Sequence, residues 1–150
     1  MIELSEHSNG RDLEGSSAFL AAAGLVITTV RPDRFEGYIE LGEEHHQPWG
    51  IVHGGVYATA VESAASLGAS AFAAEKGQYA VGVNNNTSFL RPMTAGRVDV
   101  TAWPIQQGRT QQLWQVEIVD QAGRLIATGQ LRVANVALPG SDATTDTGAA

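Results

Sequence analysis

Two different periods organise the hydrophobic residues of this chain. Residues 54–74 carry small or apolar side chains around the whole circumference of a helix, and Glu62 is the one charge among them. A surface helix normally keeps a polar face, so this stretch predicts a helix buried on nearly all sides. Most of the remaining chain alternates apolar and polar residues, which is the period of half-buried antiparallel strands.

The alternating stretches predict six strands, at residues 25–30, 35–41, 79–90, 97–106, 109–119 and 124–136. A short helix over residues 18–23, capped by Ser16 or Ser17 and ended by Gly24, precedes them. One helix with about six antiparallel strands predicts an α+β fold, in which a curved sheet wraps around the helix and the last four strands form a meander. Because such a sheet has an open edge, we expect dimerisation by edge pairing.

Length and composition narrow the choice of function. The 150 residues suffice for one core, and we expect a flexible leader (1–15), one domain (16–137) and a disordered tail (138–150). The chain has no cysteine, which excludes thiolate chemistry, and its net charge of -7 argues against nucleic-acid or anionic-membrane binding. No signal-peptide pattern opens the sequence. A cytoplasmic location is therefore predicted.

Glu62 is the main candidate for chemistry. A carboxylate in a buried helix is costly unless it is paired or used, and its neighbours are Ala and Ser rather than a basic partner. The alternative is a structural acid satisfied by hydroxyl groups. Ser66 lies one turn later on the same face, where it could hold the carboxylate or a water, or simply be a small residue for packing.

His53-Gly54-Gly55 stands at the start of the long helix. Two glycines allow a ligand to approach the backbone, and the helix N-terminus offers free N–H groups to an oxyanion; the alternative is a tight loop without function. Gly54 and Glu62 are about 12 Å apart along one helix axis. Both can act on one carbonyl only if they come from two antiparallel helices, which predicts two shared sites per dimer.

Polar residues interrupt the third predicted strand. Asn84, Asn86 and Ser88 share one face, and Asn85 and Thr87 share the other. Such a run is unfavourable in a sheet that otherwise looks central. It indicates an interface strand between subunits that also contributes to a pocket.

A metal site at His45 and His46, next to Glu43 and Glu44, is the alternative source of chemistry. Two adjacent histidines point apart, and no pair of histidines has helical spacing. We therefore predict no metal and no other cofactor.

Several of these stretches resemble the hotdog-fold acyl-CoA thioesterases. They are HQPWGIVHGGVYATAVESAAS, NNTSFLRP, QQGRTQQLW and DQAGRLIATGQLRV, within residues 16–136. The W-G-x-x-H-G-G stretch with a Glu seven residues later is the most specific. The resemblance is to the PaaI-type subgroup, which includes a 4-hydroxybenzoyl-CoA thioesterase lineage, and it implies a hotdog fold.

The resemblance also implies roles for five residues. Glu62 would act as nucleophile or general base, and the backbone N–H of Gly54 would polarise the thioester carbonyl. Gln47 would assist that polarisation, His53 would lie beside the site, and Ser66 would position the attacking water.

The resemblance gives less information on substrate binding. Arg91 and Thr110 match positions that contact the CoA phosphates or pantetheine, whereas Arg109 replaces a small polar residue. The predicted substrate- and CoA-binding residues are Gly55, Asn86, Ser88, Arg91, Arg109 and Thr110.

The predicted function is an acyl-CoA thioesterase that releases a free acid and CoA, with an aromatic or arylacetyl-CoA as substrate. The predicted unit is a homo-oligomer, a dimer or a homotetramer built as a dimer of dimers, without nucleic-acid or membrane partners. One alternative is a hotdog enoyl-CoA hydratase or dehydratase, which uses a His with a carboxylate and a different motif at the start of the helix. The other is a non-catalytic acyl-CoA-binding protein.

Overall fold

The computed structural model describes residues 17–139, so the predicted leader and nearly all of the predicted tail lie outside the described residues. The chain forms a helix, two strands, a long helix and four strands, with one 3-10 turn at Glu43–His45. In order, the helices and strands are α1 (Ala18–Ala23), β1 (Leu25–Arg31), β2 (Arg34–Leu41), α2 (Gly54–Ala74), β3 (Gln78–Phe89), β4 (Gly96–Gln107), β5 (Gln111–Asp120) and β6 (Leu125–Ala137).

The ends of α1 follow the predicted caps. The Ser17 hydroxyl accepts a hydrogen bond from the Leu20 N–H at 3.3 Å, and Gly24 ends the helix in the left-handed region with φ 76°. The six predicted strands and both helices are all present, with boundaries within about two residues of the predicted ones.

All six strands form a single antiparallel sheet in the order β1-β2-β4-β5-β6-β3. The predicted four-strand meander is therefore wrong for β3, which pairs with β6 rather than with β4. The polar strand that looked central is in fact an edge strand, and this explains its composition, since edge backbone groups and their side chains can meet solvent or a second chain. Strand β1 forms the other edge.

The sheet curves around one face of α2. That face consists of Tyr57, Ala60, Val61, Ala64, Ala65, Gly68, Ala69 and Ala73, all of them buried. Within this single chain, however, α2 is not buried on nearly all sides as predicted. Glu62 is exposed, and Ser63 and Ser66 beside it are only partly covered. Small side chains on the second face reflect a cavity next to the helix rather than close packing around it.

Helix α2 packs closely against the sheet at Gly68, which lies under the fully buried Trp114 ring. A methyl group on Gly68 would stand 2.5 Å from Cη2 of Trp114. The indole N–H is satisfied by Oε1 of Gln112 at 2.9 Å, and Nε2 of Gln112 donates to the carbonyl of Ala69 at 3.0 Å. This contact fixes the position of the helix against β5.

Gly68→Ala should destabilise the protein by about 1–3 kcal/mol, because the added methyl overpacks the contact with Trp114. A glycine-to-alanine change in a helix otherwise stabilises by up to about 1 kcal/mol. The sign of the change in unfolding free energy therefore distinguishes overpacking from helix propensity. Urea denaturation of both proteins measures the difference. In a Trp114→Phe background the penalty should shrink, and a single variant as stable as the wild type would contradict the packing.

The β5–β6 hairpin is closed by Asp120. Its carboxylate accepts hydrogen bonds from Arg124 Nε at 2.7 Å and from the N–H groups of Ala122 and Arg124 at 3.0 and 2.9 Å. The hydrogen bond from the Arg124 side chain, followed by that from its backbone, lowers the pKa of Asp120 below its usual value.

A lowered pKa in the folded state means that Asp120 stabilises the fold above the carboxyl pKa of the unfolded chain. This stabilisation is lost as the pH falls through the folded-state pKa. Asp120→Asn should therefore lower stability at pH 7 and close the gap to wild type at strongly acidic pH. Denaturation curves at several pH values test this, and a gap that is independent of pH would refute it.

Candidate active site

An open cavity of about 710 Å³ lies between α1, β1 and the second face of α2. Side chains of α2 form one wall, at Ala58, Thr59, Glu62, Ser63, Ser66 and Leu67. Residues of α1 and β1 form the opposite wall, at Phe19, Leu20, Ala21, Leu25, Val26 and Ile27. The predicted catalytic residues Glu62 and Ser66 thus share a cavity.

The carboxylate of Glu62 lies at the β3 side of α2. A methyl group on Gly82 would be 3.8 Å from its Oε1 atom, an ordinary contact distance. Asn85, on the same strand, also lines the cavity and donates from Nδ2 to the carbonyl of Ala58 at 2.9 Å. The Thr87 hydroxyl in turn donates to Oδ1 of Asn85 at 2.6 Å, which orients the amide.

Hydrogen bonds at the start of α2 determine which amide is free. Nδ1 of His53 accepts a hydrogen bond from the Gly55 N–H at 2.8 Å and caps the helix. Neutral His53 therefore carries its proton on Nε2. Among the described contacts the N–H of Gly54 donates to no protein acceptor, as expected in the first turn of a helix. Gly54 can thus receive an oxyanion, whereas Gly55 is already engaged.

The loop before α2 places Gln47 with a defined orientation. The Gln47 N–H donates to the carbonyl of Ile51 at 2.8 Å, and its side-chain Oε1 accepts a hydrogen bond from the Trp49 N–H. This leaves the amide NH₂ of Gln47 as its donor group. Trp49 itself is 85% exposed, an unusual position for an indole.

The two predicted catalytic groups, the N–H of Gly54 and the carboxylate of Glu62, lie far apart within one chain. Gly54 begins α2 and lies under the ring of Phe89, since a methyl on Gly54 would be 2.7 Å from that ring. Glu62 lies eight residues after Gly54 on α2, about 12 Å further along the helix axis. It contacts β3 near Gly82, seven residues before Phe89. One subunit therefore does not bring Gly54 and Glu62 to a common atom.

The predicted CoA-binding residues are also separated within the chain. Arg91 follows β3, and its N–H donates to the carbonyl of Ile126 at 3.2 Å. Thr110 lies at the opposite end of β6, where its carbonyl accepts from the N–H of Asn135 at 2.9 Å. The nine-residue step from Ile126 to Asn135 along β6 spans about 30 Å. Arg109 and Thr110 are exposed in the β4–β5 turn.

Asn86 and Ser88 lie on the exposed side of the β3 edge and do not line the cavity. Sequence reasoning missed Asn85 as a cavity residue, although alternation had already placed it on the opposite face. It also missed the wall formed by α1 and β1. Their apolar pattern reads as ordinary core, and only the tertiary structure leaves a gap between this wall and α2.

Two buried polar groups near the site have no partner among the described residues. They are Nε2 of His45 and the hydroxyl of Tyr57, and burial raises the pKa of Tyr57 to about 12. His45 points into the core and accepts the Gly42 N–H on Nδ1, whereas His46 donates from Nε2 to the carbonyl of Thr94 at 2.6 Å. The adjacent histidines do point apart, as predicted.

The chain belongs to the thioesterase superfamily: the family model of that name matches residues 50–127, a range that includes all of α2 and β3. The fold is the hotdog fold, one long helix held in a six-stranded antiparallel sheet. The protein is a thioester hydrolase of this superfamily.

Three relatives illustrate the match. The structure of a candidate esterase from Mycobacterium tuberculosis, Rv1847/MT1895, is 41% identical, covers 82% of this chain and 99% of its own, and superposes with a TM-score of 0.79. The proofreading thioesterase EntH of Klebsiella pneumoniae is 30% identical over 79% of this chain and 85% of its own length. The structure of the phenylacetic acid degradation protein PaaI from Thermus thermophilus is 27% identical, covers 79% of this chain and 98% of its own, and has a TM-score of 0.70.

Proposed function

We propose that this protein hydrolyses an aromatic or arylacetyl-CoA thioester to the free acid and CoA. The observation that carries the proposal is the position of Glu62, whose carboxylate opens onto a cavity with a largely apolar far wall. A carboxylate at the edge of an apolar pocket can act on a bound acyl group as nucleophile or as general base. The reaction of a carboxylate or a water molecule with a thioester calls for no cofactor besides the CoA of the substrate.

Carbonyl activation is assigned to the N-terminus of α2. The free N–H of Gly54 and the positive end of the helix dipole stabilise negative charge on the thioester oxygen. The NH₂ group of Gln47 supplies a second donor, and Nε2–H of His53 lies beside the same helix end.

The exposed β3 edge supports a shared active site. If two β3 strands pair antiparallel about a centre between Asn85 and Asn86, Phe89 of one chain lies opposite Gly82 of the other. Since Phe89 covers Gly54 and Gly82 lies beside Glu62, this register brings the free amide of one subunit to the level of the partner subunit's carboxylate.

The same pairing has a second consequence for the predicted CoA contacts. It brings Arg91 of one chain to the level of Ala80 of the other, and Ala80 pairs with Asn135, next to the turn that carries Arg109 and Thr110. Residues about 30 Å apart in one chain thus converge across the interface. The proposed unit is a homodimer, assembled further into a tetramer, with two sites per dimer.

In the proposed reaction, water or the Glu62 carboxylate attacks the thioester carbon while the oxygen is held at the helix N-terminus. The C–S bond then breaks, and the thiolate of CoA takes a proton to leave as the free thiol. Direct attack by Glu62 forms a mixed anhydride that water hydrolyses in a second step. In the general-base route Glu62 takes the proton of a water placed by Ser66, and the acid forms in one step.

The name of the PaaI relative, a phenylacetic acid degradation protein, supports an arylacetyl substrate, and the EntH name supports thioester chemistry. Among residues 17–139 no helix is long and apolar enough to cross a membrane. The cytoplasmic location remains a prediction.

The test is release of free thiol from a panel of acyl-CoAs, with hydration of an enoyl-CoA followed in parallel by loss of its absorbance. Thiol release from an aromatic or arylacetyl-CoA is expected. Enoyl-CoA hydration without thiol release would instead favour the hydratase alternative, and tight binding of acyl-CoA without either reaction would favour the binding protein.

A further inference from the structure

We infer that Asn85 is a positioning residue, whose side chain holds the turn of α2 that carries Glu62 against strand β3. This inference rests on the proposed function and explains how the carboxylate of that site is kept in place. The Glu62 side chain forms no hydrogen bond or ion pair with any of residues 17–139. The place of its carboxylate is therefore set by the backbone of α2.

The amide of Asn85 reaches that backbone at the turn that carries Glu62. Its Nδ2 atom donates to the carbonyl of Ala58 at 2.9 Å. Within α2 the same carbonyl is the helical acceptor for the N–H four residues later, which is that of Glu62. Asn85 and Glu62 thus donate to one oxygen atom, so a side chain of β3 restrains the turn from which the carboxylate projects.

Neighbouring residues give the Asn85 amide a single orientation. The Ala58 carbonyl can only accept, so Nδ2 faces it, and the Thr87 hydroxyl donates to Oδ1 at 2.6 Å. Thr87 fits between the sheet and α2 because residue 129 is glycine. A methyl group on Gly129 would stand 2.8 Å from Oγ1 of Thr87 and 3.0 Å from Val61. All of these contacts lie within one chain and do not depend on the partner subunit.

Close packing alone does not call for an amide at Asn85. The residue is half-buried on the face of β3 that meets α2. A leucine of similar volume would fill this space without the cost of desolvating a polar group. A hydrogen-bonded polar group in such a place instead makes one arrangement of the two elements more rigid.

Strand β3 then holds both catalytic groups of the proposed shared site. Phe89 of β3 covers Gly54, and Asn85 of β3 restrains the turn of Glu62. In the proposed dimer the two β3 strands pair, and each site combines the amide of one subunit with the carboxylate of its partner. The separation of these two groups is therefore set through the paired strands, and loss of the Asn85 amide releases one of them.

Asn85→Leu should lower kcat for thiol release by about tenfold or more and change KM little, because a misplacement of about 1 Å can cost up to about a hundredfold. Ser70→Ala is the matched control. Oγ of Ser70 accepts the Ala80 N–H at 3.0 Å and also joins α2 to β3, but it lies about 12 Å beyond Glu62 along the helix. This change should lower stability and leave kcat unchanged. Wild-type kcat in Asn85→Leu, or an equal loss in both variants, would overturn the inference.

Variants of Thr87 separate positioning from loss of folding. Thr87→Val removes the donor that orients the amide and should lower kcat, whereas Thr87→Ser keeps the hydroxyl and should retain most of the activity. The double variant Asn85→Leu/Thr87→Val replaces both partners by apolar groups, which is nearly neutral for stability. Its kcat should nevertheless stay low while its unfolding midpoint and oligomer mass remain those of the wild type. Wild-type kcat in this variant would refute the role of Asn85.

A double-mutant cycle with Glu62→Gln tests whether Asn85 acts through the carboxylate. Glutamine can neither attack the thioester nor take a proton, so nothing remains for Asn85 to position. Asn85→Leu should therefore leave the residual turnover of Glu62→Gln unchanged, which is complete non-additivity. A further loss as large as that in the wild-type background would show that Asn85 acts independently of Glu62 and would overturn the inference.

Amide hydrogen exchange, followed by mass spectrometry, separates this inference from the proposed function. Asn85→Leu should speed exchange in the turns of α2 around Glu62 by about fivefold, the effect of one hydrogen bond, and Ser70→Ala should speed only later turns. If this pattern is found but no acyl-CoA is hydrolysed, the proposed function fails and the restraint of α2 by Asn85 stands. Unchanged exchange in Asn85→Leu overturns the restraint, whatever the protein hydrolyses.

Discussion

Replacement of Glu62 by glutamine should lower kcat for acyl-CoA hydrolysis by at least about a hundredfold, since loss of a positioned base or nucleophile has effects of this order. Glutamine has nearly the same shape but can neither attack the thioester nor take a proton from water. Glu62 is exposed and lies at the cavity, so the fold should tolerate the change. Substrate binding should persist and is measured by calorimetry with an intact acyl-CoA.

Glu75→Gln is the matched control for this experiment. Glu75 is an exposed carboxylate at the C-cap of α2, far from the cavity, and its neutralisation should leave kcat unchanged. The mechanism is wrong if Glu62→Gln retains near-wild-type turnover, or if both changes lower turnover equally.

Removal of the Gly54 N–H should cost about a hundredfold or more in kcat, the usual effect of losing an oxyanion donor. Gly54→Pro does this at a position where the helix favours proline. His53, at φ -65° and ψ 130°, already has a backbone conformation suited to the residue before proline. Steady-state thiol release measures the effect.

Gly54→Ala is the control, because it introduces the same contact with the Phe89 ring but keeps the N–H. A proline variant no worse than the alanine variant would exclude the amide from catalysis.

Mixed oligomers of Glu62→Gln and Gly54→Pro test whether the site is shared. If each site takes Gly54 from one subunit and Glu62 from its partner, a mixed dimer contains one intact site. Random reassociation of equal amounts should then restore about a quarter of wild-type activity. An unchanged, low activity after demonstrated exchange of subunits would mean that both groups act within one chain.

The local structure of the chain was predictable because it depends on local chemistry. Ser17 and Gly24 mark the ends of α1 through capping and a left-handed backbone, and these preferences act over a few residues. The alternating strands likewise follow from burial of one face. The order of the strands did not follow, because pairing of β3 with β6 rather than β4 depends on contacts between distant residues.

The resemblance to thioesterases was predictable from the sequence, whereas the surroundings of Glu62 were not. The stretch around His53, Gly54 and Glu62 carried the resemblance to thioesterases by itself, and the helical rise alone separated the amide from the carboxylate. The sequence, however, predicted a buried Glu62, because small side chains around a helix indicate close packing. The tertiary structure instead leaves a cavity on that side.

What the sequence by itself determined is therefore the thioesterase family and the secondary structure, both encoded in neighbouring residues. The tertiary structure alone decided that β3 is an edge strand, that Asn85 rather than Asn86 faces the cavity, and that α1 forms its far wall. These features arise where elements distant in sequence meet. The physical reason is that a gap between packed elements has no local pattern, since the residues that line it look the same as residues that fill a core.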